Sequence, residues 1–381
     1  MQKMTTKRVL ISAGEASGDL HAANLVEATT KVAPNIEFYG MGSGSMQKVG
    51  VNIIVDARKL SVFGYWEIVT TLLKILRAYF TMRRAILRDK PDLLILVDYP
   101  GFNLRLAKVA KKAGVKVLYF ISPKIWAWHQ SRVKIIKECV DMMAVIFPFE
   151  VDFYQKWQIP VKFVDNHLMK LIENRLSLEK ARQLFNIDPN NKVIGLFPGS
   201  RKSEIKRLLP VMLEAAKILK EKNPNIQFLL PKASSIDMDQ LEPELQTSNL
   251  PIQVITGHNY DVMQVSDAII TASGTATLEI ALIGTPLVII YRLSWPEYQL
   301  AKRIIKIPYA GLCNILAGKE VAKELLQYDA TPEKIAAEID GVLNDQAYRN
   351  RMKDELANIK KSLKNKEITS IANLVIEMIQ D

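Results

Sequence analysis

The sequence contains few of the residues from which disulfide frameworks and metal sites are built. Only two cysteines occur among 381 residues, Cys139 and Cys313, and they lie far apart without a metal-type spacing. The four histidines are equally scattered. This pattern argues against a disulfide scaffold and a structural zinc site, and it predicts a protein of a reducing cytoplasm without a bound metal.

Long apolar runs are also missing near the start. In "MQKMTTKRVLISAGE" the apolar stretch before Gly14 is too short for a signal peptide. Acidic residues are outnumbered, 40 against 51 Lys and Arg, which gives a formal charge of +11. This charge predicts acidic partners such as phosphorylated small molecules or an anionic membrane surface. Nucleic acid is not expected, because zinc-finger spacings and aromatic RNA-binding motifs are absent.

Short β-branched runs alternate with amphipathic segments along most of the chain, a pattern typical of parallel, doubly wound α/β sheets. A polar stretch, "LIENRLSLEKARQLFNIDPNNK", divides ten predicted strands into two sets of about five. We therefore predict two Rossmann-like domains that face a cleft, over residues 1–168 and 169–345. Residues 346–381 form a predicted helical tail that packs across the domains.

The first predicted strand ends in a crowded polar loop, "SAGEASGDLHA". Turn glycines and a helix cap explain part of this loop, but they do not explain all of its polar residues together. Glycines at a strand end let the backbone approach a ligand, and a helix N-terminus offers free N–H groups. We therefore predict a site at Gly14, Glu15, Ser17, Gly18, Asp19 and His21.

A second candidate is Asp98, which ends the apolar strand of "PDLLILVDYPGFN". A carboxylate that follows six apolar residues can have a raised pKa, as a general base requires. Helix capping is the alternative role. The position at the carboxyl end of a parallel strand favours catalysis.

The next strand leads into "ISPKIWAWHQSR". Trp126 and Trp128, with Lys124, His129 and Arg132, could form a wall for a sugar or an acyl chain. A buried aromatic pair is equally compatible with this pattern.

Two strand–loop–helix motifs in the second half suit a nucleotide diphosphate. In "LFPGSRKSEIKRLLP", Ser200 and Arg201 lie at a helix start, where backbone donors and a guanidinium can bind phosphate. In "DAIITASGTATLEIALIGTP", the loop Ser273, Gly274 and Thr275 can also donate to phosphate, and Glu279 is placed to accept ribose hydroxyls.

The stretch "VFGYWEIVTTLLKILRAYFTMRRAILR" has a wide apolar belt and a basic end. Charged residues interrupt it, so it should not span a bilayer. It predicts either a core helix or a helix in a membrane interface. The residues predicted to contact the membrane are Phe63, Trp66, Leu72, Leu73, Leu76 and Phe80.

Seven segments, in order, resemble lipid-A-disaccharide synthase: "SAGEASGDLHA", "LVDYPGFNLRLA", "ISPKIWAWHQSRV", "FPFE", "LFPGSRKSEI", "ASGTATLE" and "NILAGKEVAKELLQ". This family resemblance covers nearly the whole chain. It implies a GT-B glycosyltransferase that works peripherally at the inner face of a Gram-negative cytoplasmic membrane. The implied reaction is inverting transfer of 2,3-diacylglucosamine from its UDP-linked donor to 2,3-diacylglucosamine 1-phosphate.

The resemblance also implies roles for the candidate residues. Asp98 is the first choice for the base that takes the acceptor proton, and Glu15 is the second; His21 could orient either of them. No cofactor is implied, and Arg201 with the helix N-termini would stabilise the UDP leaving group. Asn314, in "LCNILAG", is expected to contact the donor, whereas the first loop and the tryptophans lie on the acceptor side.

Two segments depart from the family pattern. Asp165, Asn166 and His167 stand where the family usually has Gly-His-Pro, and Cys313 stands where it usually has Pro. The first departure supports one alternative, a binding protein that has lost catalysis. A UDP-sugar epimerase and a transferase with another acceptor are alternatives that keep the fold and change the reaction. A nicotinamide oxidoreductase fits poorly, because the first βα turn lacks Gly-x-Gly-x-x-Gly. The predicted helical tail of residues 346–381 is compatible with a homodimer, in which the tail would exchange between two copies.

Overall fold

The chain forms two compact units, each built on one parallel β-sheet. The computed structural model describes residues 6–60, 68–123, 125–126, 130–164, 172–233, 235–304, 307–364 and 368–380. Unit 1 comprises residues 1–167 together with 366–381, and unit 2 comprises residues 168–365. The predicted α/β class with two doubly wound parallel sheets is confirmed.

Unit 1 contains a seven-stranded sheet in the order β3-β2-β1-β4-β5-β6-β7. The strands are β1 (Lys7–Ala13), β2 (Ile36–Gly42), β3 (Asn52–Asp56), β4 (Leu93–Val97), β5 (Val117–Phe120), β6 (Met142–Val145) and β7 (Val161–Phe163). The helices are α1 (Ala16–Val32), α2 (Gly44–Lys48), α3 (Ile68–Asp89), α4 (Pro100–Ala113), α5 (Val133–Cys139), α6 (Pro148–Lys156) and, near the C-terminus, α16 (Ile371–Gln380). Strand β4 is apolar throughout and fully buried, as expected where helices cover both faces of a sheet.

Unit 2 contains a six-stranded sheet in the order β10-β9-β8-β11-β12-β13. The strands are β8 (Lys192–Phe197), β9 (Ile226–Lys232), β10 (Ile252–Thr256), β11 (Ala268–Ala272), β12 (Leu287–Tyr291) and β13 (Glu324–Leu326). The helices are α7 (Leu178–Leu184), α8 (Lys202–Lys222), α9 (Glu242–Ser248), α10 (Asn259–Val265), α11 (Thr275–Ile283), α12 (Trp295–Ile304), α13 (Leu312–Ala317), α14 (Pro332–Asn344) and α15 (Gln346–Lys364).

Three strands were missed by the sequence pattern: β3, β7 and β13. Each lies at the edge of its sheet, and each is only three to five residues long. Edge strands are covered on fewer sides, so they do not need the long apolar runs that predicted the other ten strands.

The residues beyond 345 are divided between the units. Helix α15 packs on α11, α13 and α14 of unit 2, whereas α16 packs on α1 of unit 1. Val164, directly after β7, forms a parallel bridge with Thr369. Lys162 Nζ lies 2.9 Å from Glu377 Oε2. The chain therefore completes unit 1 after it has formed unit 2.

Strand order reverses beside the first strand of each sheet. In unit 1, β1 lies between β2 and β4, and in unit 2, β8 lies between β9 and β11. Ligands of open parallel sheets bind at the carboxyl ends of the strands at such a reversal. A ligand is therefore expected at the loops after β1, β4, β8 and β11. These loops carry most of the predicted site residues.

Candidate active site

Asp98 follows β4 in a left-handed turn. Its φ angle is 44°, and that of the next residue, Tyr99, is 47°. This conformation costs about 1–3 kcal/mol for each residue other than glycine. Helix α4 begins immediately afterwards at Pro100, whose fixed φ suits the first helical position. Two successive left-handed residues indicate that the surroundings impose the position of Asp98.

Two buried donors hold the backbone of Asp98. The Asn103 amide nitrogen donates to the Asp98 carbonyl oxygen at 2.8 Å, and the Tyr119 hydroxyl donates to the same oxygen at 2.6 Å. Asn103 also accepts a 2.7 Å hydrogen bond from the Ser12 hydroxyl on β1. Burial, followed by the Asp98 charge, raises the pKa of Tyr119 well above its ordinary value, so its hydroxyl keeps its proton. The half-buried Asp98 side chain thus starts from a fixed backbone.

The first polar loop lies next to this turn, because Ala13 of β1 pairs with Val97 of β4. Gly14 lies against the Tyr99 ring so closely that a β-carbon at Gly14 would overlap the ring. Glu15 is exposed at the N-cap of α1, and its side chain makes no capping hydrogen bond within the described residues. Burial, followed by the Glu15 charge, raises the pKa of Tyr99. The loops of the two candidate bases therefore adjoin.

Asp19 has a structural role. It is 1 % exposed, and its carboxylate accepts hydrogen bonds from the backbone N–H groups of Ser43 at 2.5 Å and Ser45 at 2.8 Å. These bonds satisfy the start of α2. The Asp19 carboxylate is therefore engaged within unit 1, and its predicted contact with the acceptor stays a prediction.

The other residues of the first loop differ in exposure. Ser17 is exposed, whereas Gly18 is buried near Val97. His21 is half-buried, with its ring edge-on to Phe120 at a centroid distance of 6.5 Å. Ser17 and His21 are therefore accessible for the predicted roles, which remain predictions.

Trp126 belongs to the core. It is 7 % exposed, its indole N–H donates to Glu150 Oε1 at 3.1 Å, and its ring packs against Phe149 at 4.8 Å. Burial of Trp126 agrees with the buried aromatic alternative for this residue, and its predicted part in a substrate wall stays a prediction. Trp128 lies outside the described residues, as do Asp165, Asn166 and His167, where the sequence departs from the family pattern.

In unit 2, the loop after β8 is closed by Glu204. This carboxylate, 9 % exposed, accepts hydrogen bonds from the backbone N–H of Ser200 at 3.0 Å and of Arg201 at 3.2 Å. It also accepts one from Arg201 Nη1 at 3.1 Å. Gly199 has a φ of 110°, and a β-carbon there would overlap the Glu204 carboxylate. Two amides predicted to bind phosphate are thus already paired.

The Arg201 side chain is 70 % exposed, although one of its nitrogens bonds to Glu204. Its guanidinium keeps further N–H donors beyond the one bonded to Glu204. The guanidinium, rather than the amides of Ser200 and Arg201, is therefore the group of this loop that can meet an anion.

The loop after β11 presents hydroxyl groups at the start of α11. The Ser273 hydroxyl donates to the Ala310 carbonyl at 2.8 Å, and Thr275 is exposed. Gly274 precedes α11 as its N-cap. Thr275 lies exposed at the start of α11, and the phosphate contact predicted for this loop stays a prediction.

Glu279 lies one turn into α11 and is half-buried. The Tyr260 hydroxyl donates to its carboxylate at 3.3 Å. Burial raises the pKa of Glu279, and its two oxygens leave room for a second hydrogen-bonded partner. This environment is compatible with the predicted ribose contact.

Asn314 fixes the neighbouring segment from inside. It is fully buried; its amide nitrogen donates to the Ala322 carbonyl and to Glu324 Oε1, both at 2.8 Å. Its oxygen accepts from the backbone N–H groups of Val321 and Ala322. Both ends of the amide are thus bonded within unit 2, and the expected contact of Asn314 with the donor stays a prediction.

Helix α3 has an exposed apolar stripe. Its other side, including Ala78, Met82 and Ile86, is buried in the unit 1 core. The exposed residues of the stripe are Leu72 (56 %), Leu73 (62 %), Leu76 (39 %) and Phe80 (58 %). Core packing and an outward apolar face are therefore both present on one helix. Phe63 and Trp66 lie outside the described residues.

A membrane-spanning helix and a metal-binding cluster are both absent from the described residues. No helix among them is long and apolar enough to cross a membrane. No cluster of three or more His, Cys, Asp or Glu side chains within them could hold a metal ion.

The paired parallel-sheet architecture is that of GT-B enzymes. The fold is similar to a UDP-GlcNAc 2-epimerase from Neisseria meningitidis solved with UDP-GlcNAc bound (TM-score 0.63, 13 % identity, covering 98 % of this chain and 99 % of that one). It is also similar to a glycosyltransferase from Rickettsia africae (TM-score 0.58, 14 % identity, 98 % of each chain). At these identities the likeness establishes the fold alone.

The sequence comparison goes further. A family model described as lipid-A-disaccharide synthetase matches residues 9–378. The chain is 49 % identical over 375 residues to lipid-A-disaccharide synthase of Trichlorobacter lovleyi, covering 98 % of both chains. It is 47 % identical over 380 residues to that of Geobacter sulfurreducens, covering 100 % of this chain and 99 % of the relative. The chain belongs to the lipid-A-disaccharide synthase family and is a glycosyltransferase of lipid A biosynthesis, which decides against the epimerase and oxidoreductase alternatives.

Proposed function

We propose that the protein transfers 2,3-diacylglucosamine from UDP-2,3-diacylglucosamine to the 6-hydroxyl of 2,3-diacylglucosamine 1-phosphate. The acceptor oxygen attacks the anomeric carbon while the bond from that carbon to the diphosphate breaks. A single in-line displacement inverts the configuration and gives the β-1,6-linked disaccharide 1-phosphate and UDP. The acceptor proton goes to a carboxylate of the enzyme.

The observation that carries this proposal is the fixed left-handed turn of Asp98 at the strand reversal of unit 1. A base must meet the acceptor hydroxyl at hydrogen-bond distance, so an imposed backbone position favours Asp98 for this role. Exposed Glu15 is the second candidate, and half-buried His21 would orient the base.

The donor half of the proposal uses unit 2. The exposed Arg201 guanidinium and the Ser273, Gly274 and Thr275 loop would bind the diphosphate, and Glu279 would bind the ribose. As the leaving oxygen gains charge, Arg201 would stabilise it without a metal ion. The Neisseria structure with bound UDP-GlcNAc supports a UDP-linked donor for this fold.

The exposed stripe on α3 supports work at a membrane surface. Both proposed substrates carry acyl chains, and a helix with one buried and one exposed apolar face can lie in the interface of a bilayer. Given the predicted cytoplasmic compartment, we place the enzyme peripherally on the inner face of the cytoplasmic membrane.

The test is UDP release by the purified protein in detergent micelles, with and without the monosaccharide 1-phosphate. Removing a general base costs about 10²- to 10⁴-fold in rate. Asp98→Asn should therefore lose at least about 10²-fold in acceptor-dependent release and keep UDP binding, whereas an exposed control, Asp239→Asn, should match wild type.

Glu15→Gln separates the two candidate bases. If Glu15→Gln loses more activity than Asp98→Asn, the base assignment is wrong. If wild type binds UDP but releases none from the authentic substrates, the proposed reaction itself is wrong, and this copy binds without catalysing.

A further inference from the structure

A cationic groove runs between helices α3 and α4 of unit 1. It encloses a cavity of about 360 Å³. Four cations line it, and no acidic residue does: Arg83 on α3, and Arg105, Lys108 and Lys112 on α4. All four side chains belong to exposed residues. The volume is at the lower end of small-ligand sites, which suits a head group rather than a whole lipid.

Helix stability explains one of these charges, because Lys112 lies in the last turn of α4, where a cation is favourable, but it does not explain Arg105 and Lys108. Lys108 lies three residues from Arg105 and four from Lys112, and like charges at these spacings destabilise a helix. The neighbouring Lys111, by contrast, is paired with Asp141 at 3.2 Å. None of the four groove cations has an ion pair within the part of the chain that the structure describes. A bound anion would offset their mutual repulsion.

The groove continues the exposed apolar stripe of α3. Leu72, Leu76, Phe80, Arg83 and Leu87 follow one another at intervals of three or four residues, so they lie on one face of the helix. A helix in the interface lies along the membrane surface, with its apolar face inserted below the head groups. Long cationic side chains beside that face can reach back to the lipid phosphates. Arg83 on α3 and the adjoining cations of α4 are therefore placed to contact phosphates when the stripe is inserted.

From this continuity we infer that the α3–α4 groove binds the phosphate head group of an anionic bilayer phospholipid. The leucines and Phe80 enter the acyl layer, while Arg83, Arg105, Lys108 and Lys112 contact the phosphate. Tyr79, packed edge-on against Phe102 of α4 at 6.1 Å, joins the two helices beside the groove. The inference rests on the proposed membrane contact, and it adds a specific head-group site on α4.

The experiment measures binding to vesicles of phosphatidylcholine with and without phosphatidylglycerol, at low and at physiological salt. Arg105→Gln/Lys108→Gln removes two groove charges, and Lys353→Gln/Lys361→Gln removes two exposed charges of α15 as a matched control. Each cation near an anionic surface contributes about fivefold to binding. The groove variant should therefore lose about 10- to 30-fold on phosphatidylglycerol vesicles, and the control should stay within about threefold of wild type.

Four further results decide the inference. If wild type binds neither kind of vesicle, the membrane proposal fails. It also fails if Leu72→Ser/Leu76→Ser binds vesicles as well as wild type does. If wild type binds and the groove variant equals the control variant, the membrane contact stands and the groove site is wrong. If the groove variant raises the KM for the acceptor in neutral detergent micelles, the groove binds the substrate phosphate, and the bilayer-lipid assignment is overturned.

Discussion

The strand reversals of the two sheets are organised by opposite means. In unit 1, neutral donors from Asn103 and Tyr119 hold the carbonyl of Asp98, and the Asp98 carboxylate itself is not consumed by these bonds. In unit 2, carboxylates close the loops: Glu204 accepts the amides after β8, and Glu324 accepts the amides of residues 310 and 311.

This difference matches the chemistry proposed for each unit. In unit 1, neutral groups fix the Asp98 backbone, which suits the positioned proton acceptor proposed for that loop. In the loop after β8 of unit 2, Glu204 satisfies the amides of Ser200 and Arg201, so the exposed Arg201 guanidinium is left to meet an anion. The same sheet topology is thus proposed to hold a base in one unit and an anion site in the other.

The largest effect is expected from Arg201→Ala. Removing a donor that stabilises developing charge costs about 10²- to 10³-fold in kcat. Stability should change little, because a pair with a side chain that is 70 % exposed contributes at most about 1 kcal/mol. Acceptor-dependent UDP release and urea unfolding measure the two quantities. Arg201→Lys should recover only part of the rate, since lysine lacks the forked donors.

The proposed difference between the two units would be wrong if Arg201→Ala unfolded at a much lower urea concentration and kept its rate of UDP release per folded molecule. Arg201 would then stabilise the loop with Glu204 rather than bind the anion. Lys206→Ala on the same helix is the matched control and should leave both measurements at wild-type values.

A smaller effect is expected from Gly14→Ala in unit 1. The added β-carbon overlaps the Tyr99 ring, so this ring and the adjoining Asp98 turn must shift. Overpacking of this kind costs about 1–3 kcal/mol in the free energy of unfolding. A shift of about 1 Å near a reacting group can reduce the rate by about 10²-fold.

Gly101→Ala is the control for Gly14→Ala, because a β-carbon at Gly101 meets no atom within 4 Å. It should match wild type in both rate and stability. If Gly14→Ala behaved like Gly101→Ala, contact with Tyr99 would not control the Asp98 turn.

The smallest effect is expected at Glu279, a half-buried carboxylate of unit 2. It concerns how the free energy of unfolding depends on pH. Burial raises its pKa in the folded protein, so the folded state holds the proton more readily than the unfolded state does. Stability from this group is therefore fully present below the unfolded pKa and is lost as pH rises through the raised folded pKa. Relative to Glu279→Gln, wild type should lose stability from about pH 4.5 upward.

Urea midpoints at a series of pH values test this expectation. Glu242→Gln, an exposed substitution in the same unit, controls for the change of charge. Parallel curves for wild type and Glu279→Gln would mean that burial of Glu279 has no effect on its proton binding.

The sequence predicted the strands of both sheet centres and the loops that follow them. Buried strands such as β4 must be apolar along their whole length, so their ends are visible where polar residues such as Asp98 begin. It could not predict which polar residues are consumed internally. Asp19 was predicted to be functional because it is a polar residue near a strand end, and Asn314 because it lies in a family motif; only the fold shows the partners of both.

The residues that position Asp98 were missed for a related reason. Asn103 and Ser12 are 91 positions apart, and Tyr119 and Asp98 are 21 apart. No local sequence pattern predicts hydrogen bonds between residues so far apart in the chain. The only signal was an asparagine within the apolar residues of "GFNLRLA", where an amide must find buried partners.

The return of α16 to unit 1 has a consequence for how the protein is made. Lys116 donates to the carbonyl of Met378, and Val164 bridges to Thr369, so unit 1 lacks one helix and part of its sheet edge until α16 has been synthesised. Unit 2 is continuous in the chain, so all of its residues are synthesised before α16 completes unit 1. The unit that begins first is therefore finished last, and during synthesis the face of α1 awaits its partner.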